Sequence, residues 1–281
     1  MSLKDELDRV FTEVSASFPI KEYFNQGKYQ EMYVILNTLK DYLPDFKGKK
    51  LLDIGSGPMD KTAIFQAMGL QCYAVDDLGD PWHKRNDNII KIKKYAESKG
   101  ITFYHQKESD HTIPYKLESF DIVCSLRVIE HLHESPRNLL NTMGTYLKPK
   151  GLLIITMPNS VNLRKRISVL MGQTNYVPVN QFFHSQGIWR GHVREYTLSE
   201  TVYICKEVGF EVIASRTFEN LVKMKLRGLL RYLYLLLGYI LPGTRSGLLV
   251  ICRKPASWAS VNADPEAFRK ISAISVPNGI A

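Results

Sequence analysis

The chain has 281 residues, which is enough for one large α/β domain with additions or for two small domains. Hydrophobic, charged and aromatic residues make up 44%, 23% and 11%, an ordinary globular composition that excludes a low-complexity chain. The net charge of +9 is uneven, because residues 221–254 carry seven Lys or Arg and no acidic residue. This local excess favours an anionic neighbour at that segment, or a solvated basic face.

The four cysteines lie far apart in apolar runs, at Cys72, Cys124, Cys205 and Cys252. None has metal-ligand spacing, so we interpret them as reduced core residues of a cytoplasmic protein. Residues 1–11 are acidic and amphipathic, and a signal peptide is therefore not expected.

Residues 1–46 are predicted to form helices. Leu3, Leu7 and Val10 recur at helical spacing, and residues 29–42 give a second helix before Pro44 ends it. These helices cap a cofactor cleft, or they only pack against the domain that follows.

A short buried strand, a glycine turn and a helix follow in residues 50–60, KLLDIGSGPMD. Gly55 and Gly57, with Ser56 between them, reach backbone angles that other residues avoid and let a ligand approach the main chain closely. Asp53 stands near the carboxyl end of the strand and projects a charge into the same crevice. The segment predicts a nucleotide-type site, and an ordinary βα turn is the alternative.

The third glycine position of the dinucleotide fingerprint is occupied by Asp60. A carboxylate there would lie beside a pyrophosphate at the helix N-terminus, where an anion should bind. NAD and FAD are therefore disfavoured, whereas a cationic ligand without phosphate tolerates Asp53 and Asp60 better.

A second strand, residues 71–75, ends in Asp76 and Asp77. Both lie about 20 residues after the glycine turn, where a nucleotide-binding unit places an acid that accepts hydrogen bonds from ribose hydroxyls. Asp76 is the better candidate because Asp77 begins the loop. A helix cap or a turn is the alternative role for either residue.

Strand and helix segments continue to alternate up to residue 158. We predict helices over residues 89–99 and 136–147, and strands over residues 101–105, 120–125 and 152–156. The alternation predicts a doubly wound parallel sheet with helices on both faces. Ligands of such sheets bind beyond the carboxyl ends of the strands, where one crevice would collect Asp53, Asp76, Asp110 and Arg127.

Residues 160–198 break the alternation, and we predict an inserted helix and loops that cover the cleft and select the substrate. A helix over residues 198–208 follows. Strands over residues 210–216 and 247–252 complete the sheet, with the last strand antiparallel.

Residues 221–241 form an apolar segment with basic flanks. The uninterrupted apolar part is too short to span a bilayer, which needs about 20 residues. It has the profile of an interfacial helix on an anionic membrane surface, and the preferred alternative is a helix packed on its own domain or in a homodimer seam. Residues 255–281 are polar and are predicted as a flexible tail.

The glycine-turn segment, Asp76, the loop at Asp110 and the LKPKG–strand–PN run together resemble class I S-adenosylmethionine (SAM)-dependent methyltransferases. The resemblance implies a Rossmann-like, doubly wound, mostly parallel seven-stranded sheet over residues 47–254, with SAM as cofactor. It implies cofactor contacts from Asp53, Gly55, Ser56, Gly57, Asp76, Asp77, Asp110, His111 and Arg127, with Asp110 and His111 against the adenine. Typical relatives carry an Asn or Asp and a small residue in place of Leu126 and Arg127.

The pair Glu130 and His131 matches an "EH" of the ubiquinone-biosynthesis type of O-methyltransferase, and residues 191–197, GHVREYT, resemble bacterial sugar and glycan methyltransferases. Methyl transfer often requires a base near neutral pKa, and His192 is the preferred candidate over His131. Arg194 and Tyr196 are predicted to hold the acceptor; alternatively, His192 and Tyr196 only order the loop. Glu130 and His131 lack a third metal ligand in sequence, so no metal site is predicted.

The Asp/Asn-Pro-Pro-aromatic signature of base amino methylation is missing, and nucleic acid is not the expected acceptor. The expected acceptor is therefore a hydroxyl group, carried by a small molecule, a sugar or glycan, a lipid-linked intermediate or a polyprenyl quinol. We expect the enzyme to be cytoplasmic, or peripheral at the inner membrane surface. The rival hypotheses are a catalytically silent SAM-fold binding module, a nucleic-acid methyltransferase and, more remotely, a Rossmann oxidoreductase.

Overall fold

The computed structural model describes residues 2–106, 113–220 and 228–266. Its centre is one seven-stranded sheet in the order β3–β2–β1–β4–β5–β7–β6. The strands are Lys50–Ile54 (β1), Gln71–Asp76 (β2), Thr102–His105 (β3), Phe120–Leu126 (β4), Leu147–Pro158 (β5), Glu211–Phe218 (β6) and Gly247–Arg253 (β7). β1 to β5 pair in parallel, and β7 runs antiparallel to both of its neighbours, which confirms the predicted sheet.

Helices cover both faces of the sheet and bury its central strands, whereas the edge strands β3 and β6 are partly exposed. One face carries the N-terminal helices and the first two crossovers, and the other carries two later helices. On the first face are Leu3–Ser17 (α1), Gln26–Leu39 (α2), Asp60–Ala67 (α3) and Asn88–Ser98 (α4), and on the second Pro136–Tyr146 (α5) and Leu198–Glu207 (α8). Neighbouring strand residues alternate between the two cores, as Leu51 and Leu52 do, because successive side chains of a strand point to opposite faces.

The chain leaves β1 toward β2 on one side, and β4 later pairs with β1 on the other. The strand order therefore reverses between β1 and β4. In open α/β sheets the ligand crevice opens at this switch point, beyond the carboxyl ends of the strands. The fold thus places the glycine turn after β1 and the loop after β4 on the two sides of one crevice.

The insertion between β5 and α8 contains two short helices, Leu163–Leu170 (α6) and Val179–Phe183 (α7). Neither helix has a buried residue. The insertion is fastened at its two ends, where Asn159 forms a bridge with Tyr196 and the Asn162 side chain caps α6. Its middle therefore extends from the domain as an apolar, exposed surface.

Helix Gly228–Ile240 (α9) lies between β6 and β7 and buries only Gly238 among its residues. Tyr234 and Leu235 are half-buried and the Gly238 carbonyl accepts from Arg245, so the packed helix and the interfacial helix both stay predictions. No helix in the described ranges is long and apolar enough to cross a membrane. Of the four basic residues predicted to flank the apolar part, Arg231 is exposed on α9, and Lys223, Lys225 and Arg227 lie outside the described residues.

The beginning of the predicted flexible tail packs against the domain. The Trp258 ring stacks on Phe210 at 5.6 Å, and its indole N–H donates to the Val208 carbonyl at 2.8 Å. Asn141 and Val261 exchange two hydrogen bonds between the side chain of the first and the backbone of the second. Residues 255–261 are therefore ordered by an aromatic anchor that their polar composition did not reveal.

Candidate active site

The two glycines after β1 serve different purposes. At Gly55, with φ +79°, a Cβ would lie 2.4 Å from Val128 Cγ2, so glycine allows the loop after β4 to pack closely. At Gly57, with φ +54°, the nearest atom to a Cβ would be the Tyr23 hydroxyl at 4.0 Å. The main chain at Gly57 is thus open to the crevice and accessible to a ligand.

Asp76 lies at the end of β2 and binds the glycine turn directly. Its carboxylate accepts the N–H of Gly57 at 2.6 Å and the N–H of Leu78 at 2.7 Å. Burial raises the pKa of Asp76 to about 6, against the effect of these two donors. Each oxygen keeps a second lone pair, so the carboxylate can still accept hydroxyl groups of a ligand.

Asp77 points to the insertion instead. Its two oxygens accept the Gly79 N–H at 2.7 Å and the Arg190 guanidinium at 2.8 Å. Burial opposes ionisation, but these donors outweigh it and hold the pKa of Asp77 below its usual range. Asp77 therefore links the cofactor side of the crevice to the insertion.

Asp53 and Ser56 line the crevice but are more deeply buried than predicted. Asp53 accepts the Thr62 hydroxyl at 2.7 Å, and burial raises the pKa of Asp53 to about 6. The Asp53 carboxylate also lies against the Cys124 thiol, whereas the Ser56 hydroxyl is buried and has no hydrogen-bond partner among the described residues. The Ser56 hydroxyl can therefore serve a ligand that enters the crevice.

The N-terminal segment contributes Tyr23, Lys28 and Glu31, three crevice residues that the sequence analysis missed. Lys28 pairs with Asp60 at 2.6 Å and lies 3.3 Å from the centre of the Tyr23 ring. Tyr23 in turn stacks on Trp82 at 4.6 Å. No local signal could have found the contacts with Asp60 and Trp82, because they join segments far apart in the chain.

Arg127 reaches the crevice through an ion pair with the N-terminal helix α2. Its Nε lies 3.2 Å from the buried Glu31, which also contacts Lys61 at 3.4 Å and the Thr156 hydroxyl at 2.5 Å. Burial disfavours the Glu31 anion, but the two cations outweigh it and hold the pKa at about 2. Arg127 has φ +68°, an uncommon conformation that this network maintains.

Glu130, His131 and His192 meet at the opposite end of the crevice. Their ligand atoms all lie within 4.8 Å of one another. The His131 Nδ1 is 2.8 Å from the Arg190 carbonyl, and the His192 Nδ1 is 2.7 Å from a carboxylate oxygen of Glu195. Glu130 is fully buried, neither of its oxygens has a hydrogen-bond partner in the described chain, and burial raises its pKa. The sequence near Glu130 and His131 offers no third residue of metal-ligating type. In the structure His192 takes that position beside them.

Arg194 and Tyr196 do not line the crevice. Arg194 is mostly exposed, pairs with Glu200 at 3.1 Å and lies 5.1 Å from the Tyr196 ring. Tyr196 is buried where its backbone bridges to Asn159. Only His192 of our three candidates in this segment faces the crevice, so the structure does not support the acceptor role that we predicted for the other two.

A single cavity of about 1520 Å³ joins the glycine turn, the acids after β2, the two histidines and the insertion. Asp110 and His111, predicted to contact the adenine, lie outside the described residues. The cavity is large enough for a nucleoside-type cofactor and a second molecule together, since ligand sites commonly measure about 300–1,000 Å³.

A family profile described as a methyltransferase domain matches residues 27–215. The ubiquinone biosynthesis O-methyltransferase of Rickettsia felis is 25% identical over 177 residues, which cover 62% of this chain and 68% of that protein. The protein of the same name from Cereibacter sphaeroides is 29% identical over 114 residues, which cover 41% of this chain and 43% of that protein.

Solved structures share the fold. A chain from the complex of the Haloferax volcanii Trm112 methyltransferase activator has a TM-score of 0.56 at 14% identity, with 87% of this chain and 97% of that chain covered. A protein from Pyrococcus horikoshii has a TM-score of 0.52 at 17% identity, with 89% and 98% covered. At sequence identities this low, the similarity to these two structures shows a shared fold and nothing about function.

Proposed function

The chain belongs to the methyltransferase domain family, and from this premise we propose that it transfers a methyl group from SAM to a hydroxyl group of a lipid-linked or otherwise amphiphilic acceptor. The class I SAM-dependent methyltransferase fold and the cofactor are those of the family. The acceptor and the residues that act on it are our proposal.

The cofactor side of the crevice fits SAM in charge and in shape. The open main chain at Gly57 and the carboxylate of Asp76 lie next to each other and can hold a nucleoside through its ribose hydroxyls. Asp60 at the start of α3 is paired with Lys28, and the carboxylates of Asp53 and Asp76 line the same crevice and would repel a pyrophosphate. SAM carries a sulfonium cation and no phosphate, so the same acids favour it.

SAM supplies an electrophilic methyl group, and the protein must align an acceptor oxygen behind that methyl, exclude water and take the hydroxyl proton. The observation that carries our proposal is the pair of His192 and Glu195 at the acceptor end of the cavity, 2.7 Å apart. The carboxylate orients the ring and stabilises its protonated form, as a general base requires. His131, whose ring centre is 4.8 Å from that of His192, lies beside it and completes this wall.

The mouth of the cavity favours an amphiphilic acceptor. Ile167, Ile188 and Tyr234 line the cavity and belong to the insertion and to α9, whose other apolar side chains are exposed. Residues 159–194 contain no Asp or Glu, and neither do residues 221–254. An apolar, cation-rich rim suits a lipid tail and an anionic membrane surface, and we propose that the protein works peripherally at such a surface.

Calorimetric titration with S-adenosylhomocysteine, with NAD as the control, tests the cofactor part of the proposal. Transfer of labelled methyl from SAM is then measured with polyprenyl-linked phenols and lipid-linked sugars, in anionic vesicles and in detergent. Extractable labelled lipid that is lost in His192→Ala supports the proposal. Binding of S-adenosylhomocysteine with no transfer to any hydroxyl would favour the catalytically silent module, and label in added RNA would favour the nucleic-acid alternative.

A further inference from the structure

The loop of residues 77–87 joins β2 to α4 and lies at the cofactor end of the cavity. Trp82 of this loop stacks on Tyr23 of the N-terminal segment, with 4.6 Å between the ring centres. The Arg190 guanidinium of the insertion packs on Gly79, where a Cβ would lie 2.4 Å from its Nη2. Two separate segments therefore hold the loop in place from outside.

His83 is the residue of this loop whose hydrogen bonding is incomplete. It is 3% exposed, and neither Nδ1 nor Nε2 has a hydrogen-bond partner in the described part of the chain. Its ring centre lies 3.9 Å from that of Trp82, and its backbone N–H donates to the Asp80 carbonyl at 2.9 Å. Burial lowers the pKa of His83, so at neutral pH the ring is uncharged and offers one N–H donor and one lone pair.

The other described histidines that line the cavity are bonded to the protein. One ring nitrogen of each lies 2.7–2.8 Å from a protein oxygen, at His131, His133 and His192. A histidine with only a packing role is expected to have such a partner, because a buried donor or acceptor without one lowers stability. His83 has the burial of a core residue without its hydrogen bond. This combination indicates a ring whose partner is a ligand of the cavity.

The neighbours of His83 identify that ligand. The Asp80 carboxylate acts on the pKa of both His83 and Asp76, which places the imidazole near the acid that we assign to the ribose. His83 and Asp76 also line the same cavity. The adenosine of SAM carries ribose hydroxyl groups, each both donor and acceptor, and an adenine edge on which an amino donor lies near a ring-nitrogen acceptor. Either group can bond a neutral imidazole.

We propose that His83 is a cofactor-binding residue and that its imidazole hydrogen-bonds the adenosine of SAM. The inference rests on the cofactor part of the proposed function and not on the acceptor. It implies that the chain keeps at this position a side chain that lowers its stability until the cofactor supplies the hydrogen bond. An apolar ring of similar shape would pack there without this cost but would bind the cofactor less tightly.

The test measures two properties of the same full-length variants, the calorimetric affinity for S-adenosylhomocysteine and the urea midpoint of unfolding without added cofactor. In His83→Phe we expect the affinity to fall at least about tenfold, while the midpoint stays the same or rises. His83→Asn and His83→Gln place an amide near the positions of Nδ1 and Nε2, respectively. At least one of these two variants should restore part of the affinity.

Thr38→Val is the matched control. Thr38 on α2 is fully buried, its hydroxyl also lacks a partner among the described residues, and it does not line the cavity. Its replacement should leave the urea midpoint unchanged or raise it in the same way, because an unpaired hydroxyl is removed. The affinity for S-adenosylhomocysteine should change by less than about twofold, since Thr38 lies outside the cavity.

Analogues of S-adenosylhomocysteine identify the group that His83 binds. One analogue carries hypoxanthine in place of adenine, so that a carbonyl acceptor replaces the amino donor, and two others lack the 2′- or the 3′-hydroxyl group of the ribose. The wild type should bind at least one of these analogues more weakly than S-adenosylhomocysteine. His83→Phe should show less of that difference.

The inference would be overturned by unchanged affinity in His83→Phe, by an equal loss in Thr38→Val, or by a loss that neither amide variant restores. A loss of affinity that leaves every difference between the analogues intact would also reject it. Each of these results, with wild-type binding of S-adenosylhomocysteine, leaves the proposed function standing. Wild-type binding without methyl transfer to any hydroxyl would instead reject the proposed function and keep the role of His83, and no binding by the wild type would reject both.

Discussion

The two ends of the crevice are built in different ways. The cofactor end consists of strand ends and a tight turn, with Asp76 bonded to the main chain and Asp53 buried in the sheet. The acceptor end depends on an insertion whose two helices bury no residue and which contacts the domain through the backbone bonds of Val193 and Arg194 to Glu130 and the ion pair of Arg190 with Asp77. The comparison indicates a rigid binding site for a constant cofactor and an adaptable surface for the acceptor.

Replacement of His192 by Ala separates the two ends most sharply. We expect turnover to fall by about 100- to 10,000-fold, because the group that removes or helps to remove the hydroxyl proton is lost. S-adenosylhomocysteine affinity should stay within about twofold, since His192 lies at the acceptor end. Arg194→Ala, which alters an exposed neighbour, is the control; an equal loss of cofactor affinity in His192→Ala would contradict this division of roles.

Glu31→Gln tests the contact that joins the N-terminal helices to both ends. Arg127 and Lys61 would keep their partly buried charges without the carboxylate, and we expect a loss of about 3–5 kcal/mol in the free energy of unfolding, measured with urea. Glu31 also has its pKa lowered from 4.5 to about 2, so its stabilising effect is present above pH 4.5 and is lost as the pH falls toward 2. The exposed Glu13→Gln, whose partner is Arg9, should change stability by less than about 0.5 kcal/mol. A loss in Glu31→Gln as small as that of Glu13→Gln would show that the buried network contributes little to stability.

The variants Asp76→Asn and Asp77→Asn compare the contributions of the two neighbouring acids after β2 to cofactor affinity. For Asp76→Asn the effect should be the larger. We expect S-adenosylhomocysteine affinity to fall by about 10- to 100-fold, because charge-assisted bonds to the ribose and to the glycine turn are weakened. Asp77→Asn should have a smaller effect on affinity, since its carboxylate binds Arg190. Calorimetry of the two variants decides, and a larger loss in Asp77→Asn would exchange the roles that we assign to them.

The pH dependence of cofactor binding gives the smallest effect. Asp76 has its pKa raised to about 6 by burial, and its ionised form is the better acceptor for ribose hydroxyls. Affinity for S-adenosylhomocysteine should therefore be constant above that pH and fall by up to about tenfold per pH unit below it. Asp76→Asn should flatten the profile. An unchanged slope in that variant would assign the titration to another group, such as Asp53.

The sheet and the cofactor end could be predicted from the sequence because their signals are local. Strand patterns, the spacing of Gly55 and Gly57 and an acid at the end of the next strand all fall within about 30 residues, the length of one βαβ unit. Glu31 and Arg127 could not be paired in advance, since 96 residues separate them. Arg194 and Tyr196 were predicted to hold the acceptor only because they are neighbours of His192 in the sequence. Their side chains lie outside the crevice that His192 faces.

Arg190 connects the two ends with two different atoms. Its guanidinium binds Asp77 beside the cofactor end, and its carbonyl accepts from His131 at the acceptor end. The loop after β2 and the ring of His131 therefore contact the same residue of the insertion, so a substitution that displaces Arg190 would alter both ends of the crevice.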